Sequence, residues 1–136
     1  MMFYIGGTRS ANAVLKEQNN NTNKNLQALD TMRNQAKDLY NNPQNLPQIL
    51  KDGWELKKSL ASTISNSYVN NLYTIALNNG AIAGKLLGAG GAGFMLFYCP
   101  LERQNDLRNA MLEQGLIQEM PVTIGYAHGS EIIYYG

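Results

Sequence analysis

Residues 84–98 read GKLLGAGGAGFMLFY and decide the fold of the second half of the chain. Two apolar segments typical of strands flank a run of glycines, and glycine readily adopts the positive φ angles that tight turns need. The stretch therefore predicts a strand, a glycine turn over residues 88–93 and a second strand. Successive N–H groups in such a turn can bind an anion. A purely structural hairpin is an equally good interpretation, and the neighbouring Lys85 favours the anion only slightly.

Two nucleotide-binding motifs are superficially similar to this region, and the context excludes both. Residues 80–85, GAIAGK, have three residues between their glycines, and Leu86 follows the lysine. A P-loop requires four residues there and a Ser or Thr that contacts magnesium. Residues 88–93, GAGGAG, match G-x-G-x-x-G. A dinucleotide fingerprint must open a helix, however, and the following FMLFYC is typical of a strand.

Length and composition predict one domain over residues 1–136, large enough to bury an ordinary core. The formal net charge of +1 gives no general attraction for nucleic acid or an anionic membrane surface. No apolar segment reaches the roughly 20 residues that span a bilayer, and the N-terminus lacks the pattern of a signal peptide. We therefore expect a cytoplasmic protein without nucleic-acid or membrane partners.

The side chains that most often carry catalysis are scarce in this sequence. Cys99 is the only cysteine and ends an apolar run, so a small buried hydrophobe is favoured over a nucleophile. His128 is the only histidine, and nothing near it in sequence would orient it as a base. One cysteine and one histidine do not make a zinc cluster, and no metal ligand is assigned in the chain.

Apolar periodicity predicts a helical first half. Residues 2–5 form a short strand, and Thr8 or Ser10 caps a helix that runs to about residue 18. The polar run EQNNNTNKN that follows is expected to be a tight connection. Further helices have inward faces formed by Leu26, Leu29, Met32, Ala36 and Leu39, by Leu46, Ile49, Leu50, Leu56, Leu60 and Ile64, and by Val69, Leu72, Tyr73 and Ala76. Pro43 ends the first of these helices.

The second half is predicted to be rich in strands. Residues 81–87, 93–99 and 131–135 have strand character, and residues 101–114 form a helix behind a proline. The inward face of this helix is formed by Leu107, Ala110 and Met111. The fold class is therefore α+β, with one mostly antiparallel sheet and helices packed on one face.

Residues 84–98 resemble the third conserved motif of the GHMP kinases (galacto-, homoserine, mevalonate and phosphomevalonate kinases). That motif runs roughly K-L-T-G-A-G-G-G-G into an apolar strand; here Leu87 replaces the usual Thr and Ala92 replaces a Gly. At this position Leu87 resembles the residue found in one branch of the family, the sugar kinases related to heptose 7-phosphate kinase. Three further stretches resemble that branch: FYIGGTRSA at 3–11, WELKKSLASTISN at 54–66 and GSEII at 129–133.

This resemblance covers nearly the whole chain and implies a ferredoxin-like split βαβ sandwich with added helices. It implies phosphorylation of the anomeric hydroxyl of a heptose 7-phosphate, with ATP and Mg²⁺ as cofactors of the full-length enzyme. The ATP-binding motif of the family, P-x-x-x-G-L-x-S-S-x, does not occur in the sequence. We therefore expect a C-terminal domain whose partner is the family's N-terminal domain. By itself it is expected to be inactive and to hold neither cofactor.

The resemblance also implies where the site residues lie. The turn that faces the nucleotide phosphates is formed by Gly88, Ala89, Gly90, Gly91 and Gly93. Lys85 is a candidate electrostatic partner of the transferred group, and no catalytic residue is assigned. Thr8, Arg9 and Lys57 are candidates for the phosphate of the sugar, since Thr8 and Arg9 begin a helix and helix N-termini attract anions. A surface ion pair is an equally good interpretation of Arg9.

Trp54 lies on the same side of a predicted helix as Lys57 or Lys58. A tryptophan that stacks on a sugar, next to a lysine that binds phosphate, is one interpretation. A core tryptophan with solvated lysines is favoured over it.

Two alternatives to a kinase domain stay open. In the first alternative, the chain is a non-catalytic binding or dimerisation module. The reason is that a domain separated from its partner exposes the apolar patch where the partner lies. A homodimer through that patch is then expected. The chain is one half of a split kinase in the second, with a separate polypeptide that supplies the ATP-binding half.

Overall fold

The computed structural model describes residues 1–7, 11–116, 118–120 and 122. The elements in chain order are β1 (Met2–Gly6), α1 (Ala11–Asn20), α2 (Thr22–Asn41), α3 (Leu46–Leu60), α4 (Ser67–Asn78), β2 (Ala83–Leu86), β3 (Gly93–Tyr98), α5 (Gln104–Glu113) and β4 (Glu119–Met120). Short 3-10 turns at Pro43–Asn45 and Leu101–Arg103 precede α3 and α5. A helical first half thus precedes a hairpin and one more helix, and the predicted α+β class is confirmed.

The four strands form one sheet in the order β2-β3-β1-β4, and each neighbouring pair is antiparallel. In chain order the elements read strand, helices, two strands, helix and strand, which is the split βαβ arrangement. Phe3 lies opposite Met95, and Gly84 lies opposite Phe97. Because directly opposed residues share a face of the sheet, these residues point to the same side.

The core lies on that side of the sheet, beneath the helices. Its largest fully buried side chains come from helices and from strands and include Trp54, Phe3, Phe97, Leu72, Met95, Leu107 and Met111. The predicted inward faces of α4 and α5 are confirmed, with Val69, Leu72 and Ala76 buried in α4 and Leu107, Ala110 and Met111 in α5. A spacing of three and four residues places these side chains on one stripe of each helix.

The sequence-based prediction for α2 is only partly right. The helix forms and ends before Pro43, but the side chains of Leu26 and Leu29 are 55% and 41% exposed. Met32 alone of that predicted face packs against the buried core. The reason is that α2 packs mainly on α3 and lies on the outside of the helical layer, so much of its stripe meets solvent.

The polar run after residue 16 is not the predicted connection. Helix α1 continues to Asn20, and α2 begins at Thr22. The N–H of Asn21 still donates to the carbonyl of Glu17 at 3.1 Å, so the two helices meet at a single residue. Asparagine lowers helix stability by less than about 1 kcal/mol per residue, and tertiary packing overrides a penalty of that size. Asn25 supplies such packing, since its buried amide donates to the carbonyl of Leu60 at 2.9 Å.

Ile64 is fully buried as predicted, but it lies in the loop after α3 rather than on the helix. Strand β4 is two residues long and was not predicted, while the strand predicted at residues 131–135 lies outside the described residues. Within the described part of the chain, no helix combines the length and the apolar character needed to cross a bilayer.

Candidate functional site

The glycine turn, residues 88–93, joins β2 to β3 and confirms the predicted strand, turn and strand. Gly88, Gly90, Gly91 and Gly93 all have positive φ, between 71° and 111°. Ala89 and Ala92 do not, so the sign of φ changes several times along the turn. The N–H of Leu87 donates to the carbonyl of Phe94 at 2.9 Å and closes the base of the hairpin. A backbone with such alternation is the kind that forms anion-binding concavities.

The loop between α3 and α4 holds the tip of the turn. Gly91 donates its N–H to the carbonyl of Ile64 at 2.9 Å, and the Asn66 amide donates to the carbonyl of Gly91 at 3.3 Å. Asn66 also caps α4, because its side-chain oxygen accepts from the N–H of Val69 at 2.9 Å. Gly90 packs so closely on this loop that a Cβ would lie 2.7 Å from the Ile64 carbonyl oxygen. Close approach therefore requires glycine at position 90.

The loop that holds the turn is itself fixed by α1. The N–H of Ser62 donates to one carboxylate oxygen of Glu17 at 2.8 Å, and the Thr63 hydroxyl lies 3.1 Å from the other. Charge-assisted hydrogen bonds of this kind are stronger than neutral ones. The turn is thus connected through the α3–α4 loop to a carboxylate on the first helix.

Lys57 holds the base of the turn. Its ammonium donates to the carbonyl of Leu86 at 3.2 Å and to that of Gly88 at 2.5 Å. Burial lowers the pKa of Lys57, and the nearby charge of Lys85 lowers it further. An ammonium group has three donors, so one N–H remains after these two bonds. The structure thus brings together two of the predicted lysines beside the turn, and Lys57 is half-buried rather than solvated.

The sugar-stacking interpretation of Trp54 is wrong. Its ring is fully buried and packs against the ring of Tyr73, with centroids 6.4 Å apart. Lys58 lies over the Trp54 ring at 5.7 Å and pairs with Glu55 at 2.8 Å. The favoured interpretation of a core tryptophan is confirmed.

Two predicted phosphate contacts, Thr8 and Arg9, lie outside the described residues, as does His128. Gly7, which directly precedes Thr8, lies beside the turn, because a Cβ built on it would be 3.0 Å from the Cβ of Ala92. The exit of β1 and the glycine turn are therefore neighbours in space.

Cys99 is a partly buried thiol that packs against the core. It donates to the carbonyl of Gly80 at 3.3 Å, and burial raises its pKa. A raised pKa disfavours the thiolate that a nucleophile requires. The residues that the structure describes contain no group of three histidine, cysteine or acidic side chains that could hold a metal ion.

Several backbone N–H groups of the turn have no acceptor within the described part of the chain. None of the described residues accepts a hydrogen bond from the N–H groups of Gly88, Ala89, Gly90 or Ala92. Lys57 and Lys85 place positive charge at one end of the turn. Free N–H groups next to positive charge are suited to bind an anion such as a phosphate.

The chain matches the family model described as GHMP kinases C terminal over residues 24–116. It is 38% identical over 79 residues to the D-glycero-alpha-D-manno-heptose 7-phosphate kinase of Campylobacter jejuni subsp. jejuni serotype O:2. That match covers 57% of this chain and 23% of the kinase, so the chain spans about a quarter of this curated relative.

The fold is similar to that of a solved kinase structure. The crystal structure of L. major mevalonate kinase in complex with R-mevalonate superposes with a TM-score of 0.68 at 14% sequence identity. The similarity covers 83% of this chain and 37% of the mevalonate kinase chain. At this identity the comparison shows a shared fold.

Proposed function

The chain belongs to the family of GHMP kinase C-terminal domains, and from this premise we propose that it forms part of an ATP-dependent sugar kinase acting on a heptose 7-phosphate. The observation that carries the proposal is the glycine turn, in which four N–H groups have no acceptor among the described residues and whose base is held by Lys57 near Lys85. The identity with a heptose 7-phosphate kinase over 79 residues supports the choice of acceptor.

For phosphoryl transfer, this domain has to supply mainly well-placed positive charge and hydrogen-bond donors. In phosphoryl transfer the charge spreads over the equatorial oxygens of the moving group, and catalysis consists mainly of positioning and electrostatic stabilisation. In the proposal the turn faces the nucleotide phosphates and Lys85 contributes positive charge. Each charge-assisted hydrogen bond of this kind contributes about 1.5–3 kcal/mol. Thr8, Arg9 and the remaining N–H of Lys57 are proposed to contact the phosphate of the sugar.

ATP supplies the transferred phosphoryl group in this proposal. The turn fits its phosphates because it has no acidic side chain and offers N–H donors that no described residue accepts from. Magnesium is implied by the reaction, but the described residues offer no cluster of acidic side chains that fits it. We therefore assign no magnesium ligand to this part of the chain, and we propose that the family's N-terminal domain is the partner that completes the site.

The proposal is tested by phosphoryl transfer. The chain is incubated with ATP, Mg²⁺ and D-glycero-D-manno-heptose 7-phosphate, first alone and then with the N-terminal half of a related kinase. We expect no product from the chain alone and a doubly phosphorylated heptose from the mixture. R-mevalonate serves as a control acceptor and should stay unmodified. Failure of the mixture to phosphorylate the heptose would contradict the proposal.

A substitution tests the sugar-phosphate contact separately. In the active mixture, Arg9→Ala is expected to raise the Michaelis constant for the sugar phosphate and to leave that for ATP unchanged. An unchanged constant for the sugar phosphate would assign Arg9 to a surface ion pair.

A specific observation favours a second candidate function, a dimerisation module. The C-terminal end of α2, the start of α3 and β3 enclose an apolar groove of about 490 Å³. Its apolar lining includes Leu39, Leu46, Leu50, Leu96 and Tyr98. We propose that a second copy of the chain covers it. Light scattering at high concentration should then give a dimer, and Leu50→Asp should give a monomer; a monomeric parent chain would exclude this function.

A further inference from the structure

We propose that Lys57 and Asn66 are positioning residues that orient two peptide groups of the glycine turn, so that the N–H groups of Ala89 and Ala92 donate to a phosphate. This inference rests on the proposed function, since it specifies which groups of the turn meet the nucleotide. Neither side chain needs to touch the phosphate for this role, because each acts through the carbonyl that it holds.

The first oriented group is the peptide between Gly88 and Ala89. Every peptide bond in the described part of the chain is trans, and in a trans peptide the C=O and N–H point in opposite directions. The Gly88 carbonyl points to the ammonium of Lys57 at 2.5 Å. The Ala89 N–H therefore points away from Lys57, and no described residue accepts a hydrogen bond from it.

The second oriented group is the peptide between Gly91 and Ala92. The Gly91 carbonyl accepts from the Asn66 amide at 3.3 Å, so the Ala92 N–H points away from the α3–α4 loop. The preceding N–H, that of Gly91, donates to Ile64 at 2.9 Å and fixes the adjacent peptide as well. Ala92 lies beside Gly7, so this second donor is at the end of the turn next to the exit of β1.

External contacts are needed because the turn is conformationally permissive. Glycine has wide conformational freedom, and Gly88 and Gly91 each supply the carbonyl side of one oriented peptide, where their ψ angles can change at little cost. On the N–H side, Ala89 and Ala92 keep a negative φ. A flip of either peptide would replace a donor by a carbonyl oxygen, which repels phosphate. A cation at the carbonyl also polarises the peptide and strengthens its N–H as a donor.

The test uses the ¹⁵N-labelled 136-residue chain titrated with inorganic pyrophosphate, with amide chemical shifts as the readout. In the parent chain the Ala89 and Ala92 amides should shift in a saturable way. Lys57→Met should abolish the response of Ala89 and weaken binding at least about tenfold, the scale of one charge-assisted hydrogen bond. Lys57→Arg, which keeps the charged donor, should restore part of the response.

Matched variants separate this role from a general effect of charge or folding. Asn66→Ser keeps a good cap for α4 but lacks the amide, so it should remove the response of Ala92 and retain that of Ala89. Lys51→Met makes the same charge change at an exposed position of α3 and should behave like the parent chain.

The inference is overturned if the folded Lys57→Met chain retains the parent response at Ala89, or if neither alanine amide responds in the parent chain. If Lys57→Met does not fold, the amide responses of the parent chain and of Asn66→Ser are sufficient to test the inference. A response to pyrophosphate without any phosphoryl transfer to the heptose would defeat the proposed function and leave the positioning role intact. Phosphoryl transfer to the heptose without a response at these amides would overturn the positioning role and leave the proposed function intact.

Discussion

Gly91 donates a backbone hydrogen bond of 2.9 Å to the carbonyl of Ile64 and thereby joins the tip of the hairpin to the loop after α3. The side chain of Ile64 is fully buried, so the accepting carbonyl is held by the core. Its neighbours Ser62 and Thr63 are in turn held by Glu17. The conformation of the turn therefore depends on helical residues far along the chain as well as on its own glycines.

Gly90→Ala is expected to destabilise the protein because two penalties coincide at this position. The φ of Gly90 is 111°, which L-residues rarely adopt, and a Cβ would lie 2.7 Å from the Ile64 oxygen and 2.8 Å from its Cα. Together, strained backbone and displaced packing should cost about 2–4 kcal/mol in the free energy of unfolding. Urea denaturation followed by circular dichroism measures the change.

Gly88→Ala is the matched control for this substitution. Gly88 also has a positive φ, 71°, but a Cβ on it would meet no atom within 4 Å. Only the backbone penalty of about 1 kcal/mol remains there. Equal losses for the two variants would mean that the close approach of Gly90 to Ile64 contributes nothing to stability.

Gly84→Ala tests whether the glycine before Lys85 serves packing rather than phosphate binding. Gly84 lies opposite Phe97 in the sheet, and a Cβ on it would overlap the Phe97 ring and lie 2.8 Å from the Leu96 carbonyl oxygen. Overpacking of this kind costs about 1–3 kcal/mol. Thermal and urea unfolding should show the loss, and adding Phe97→Leu should recover part of it. Full stability of Gly84→Ala would contradict this assignment.

The sequence was most informative where the structure is local. Helix α4 was predictable because Val69, Leu72 and Ala76 recur with helical spacing. The hairpin was predictable because its glycines lie between two apolar runs. In each case the interactions that select the structure join residues within a few positions of one another.

The contacts that define the candidate site were not predictable in the same way. Lys57 reaches a carbonyl 31 positions away, and Asn66 reaches one 25 positions away. A sequence pattern shows that Lys57 has a charge, but the partner of that charge is fixed only when α3 packs on β2. The boundary between α1 and α2 was missed for a related reason, since the packing of Asn25 overrides the weak helix propensity of its neighbours.

Gly53→Ala is expected to stabilise the protein. Gly53 lies inside α3, its φ is not positive, and the nearest atom to a built Cβ is the side-chain oxygen of Gln35 at 3.7 Å. Alanine therefore fits without displacement and removes the entropic cost of a helical glycine, about 0.5–1 kcal/mol. Calorimetry should show a higher melting temperature. A decrease would indicate that α3 needs flexibility at this position.

Alkylation of Cys99 tests the environment of the thiol that directly follows β3. Burial raises the pKa of this thiol above its ordinary value of 9.0, so at pH 8 the reactive thiolate should be less than about a tenth of the population. The rate of reaction with iodoacetamide should therefore rise steeply with pH and keep rising past pH 9. Because Cys99 is the only cysteine, mass spectrometry reports on this site alone.

The urea-unfolded chain is the internal control for this titration. Unfolding exposes the thiol to water, so its reaction should level off near the ordinary pKa and be faster at pH 8 than that of the folded chain. A folded-state rate that levels off below pH 8 would require a stabilised thiolate. Such a result would contradict the role of Cys99 as a buried packing residue and make the thiol a candidate nucleophile.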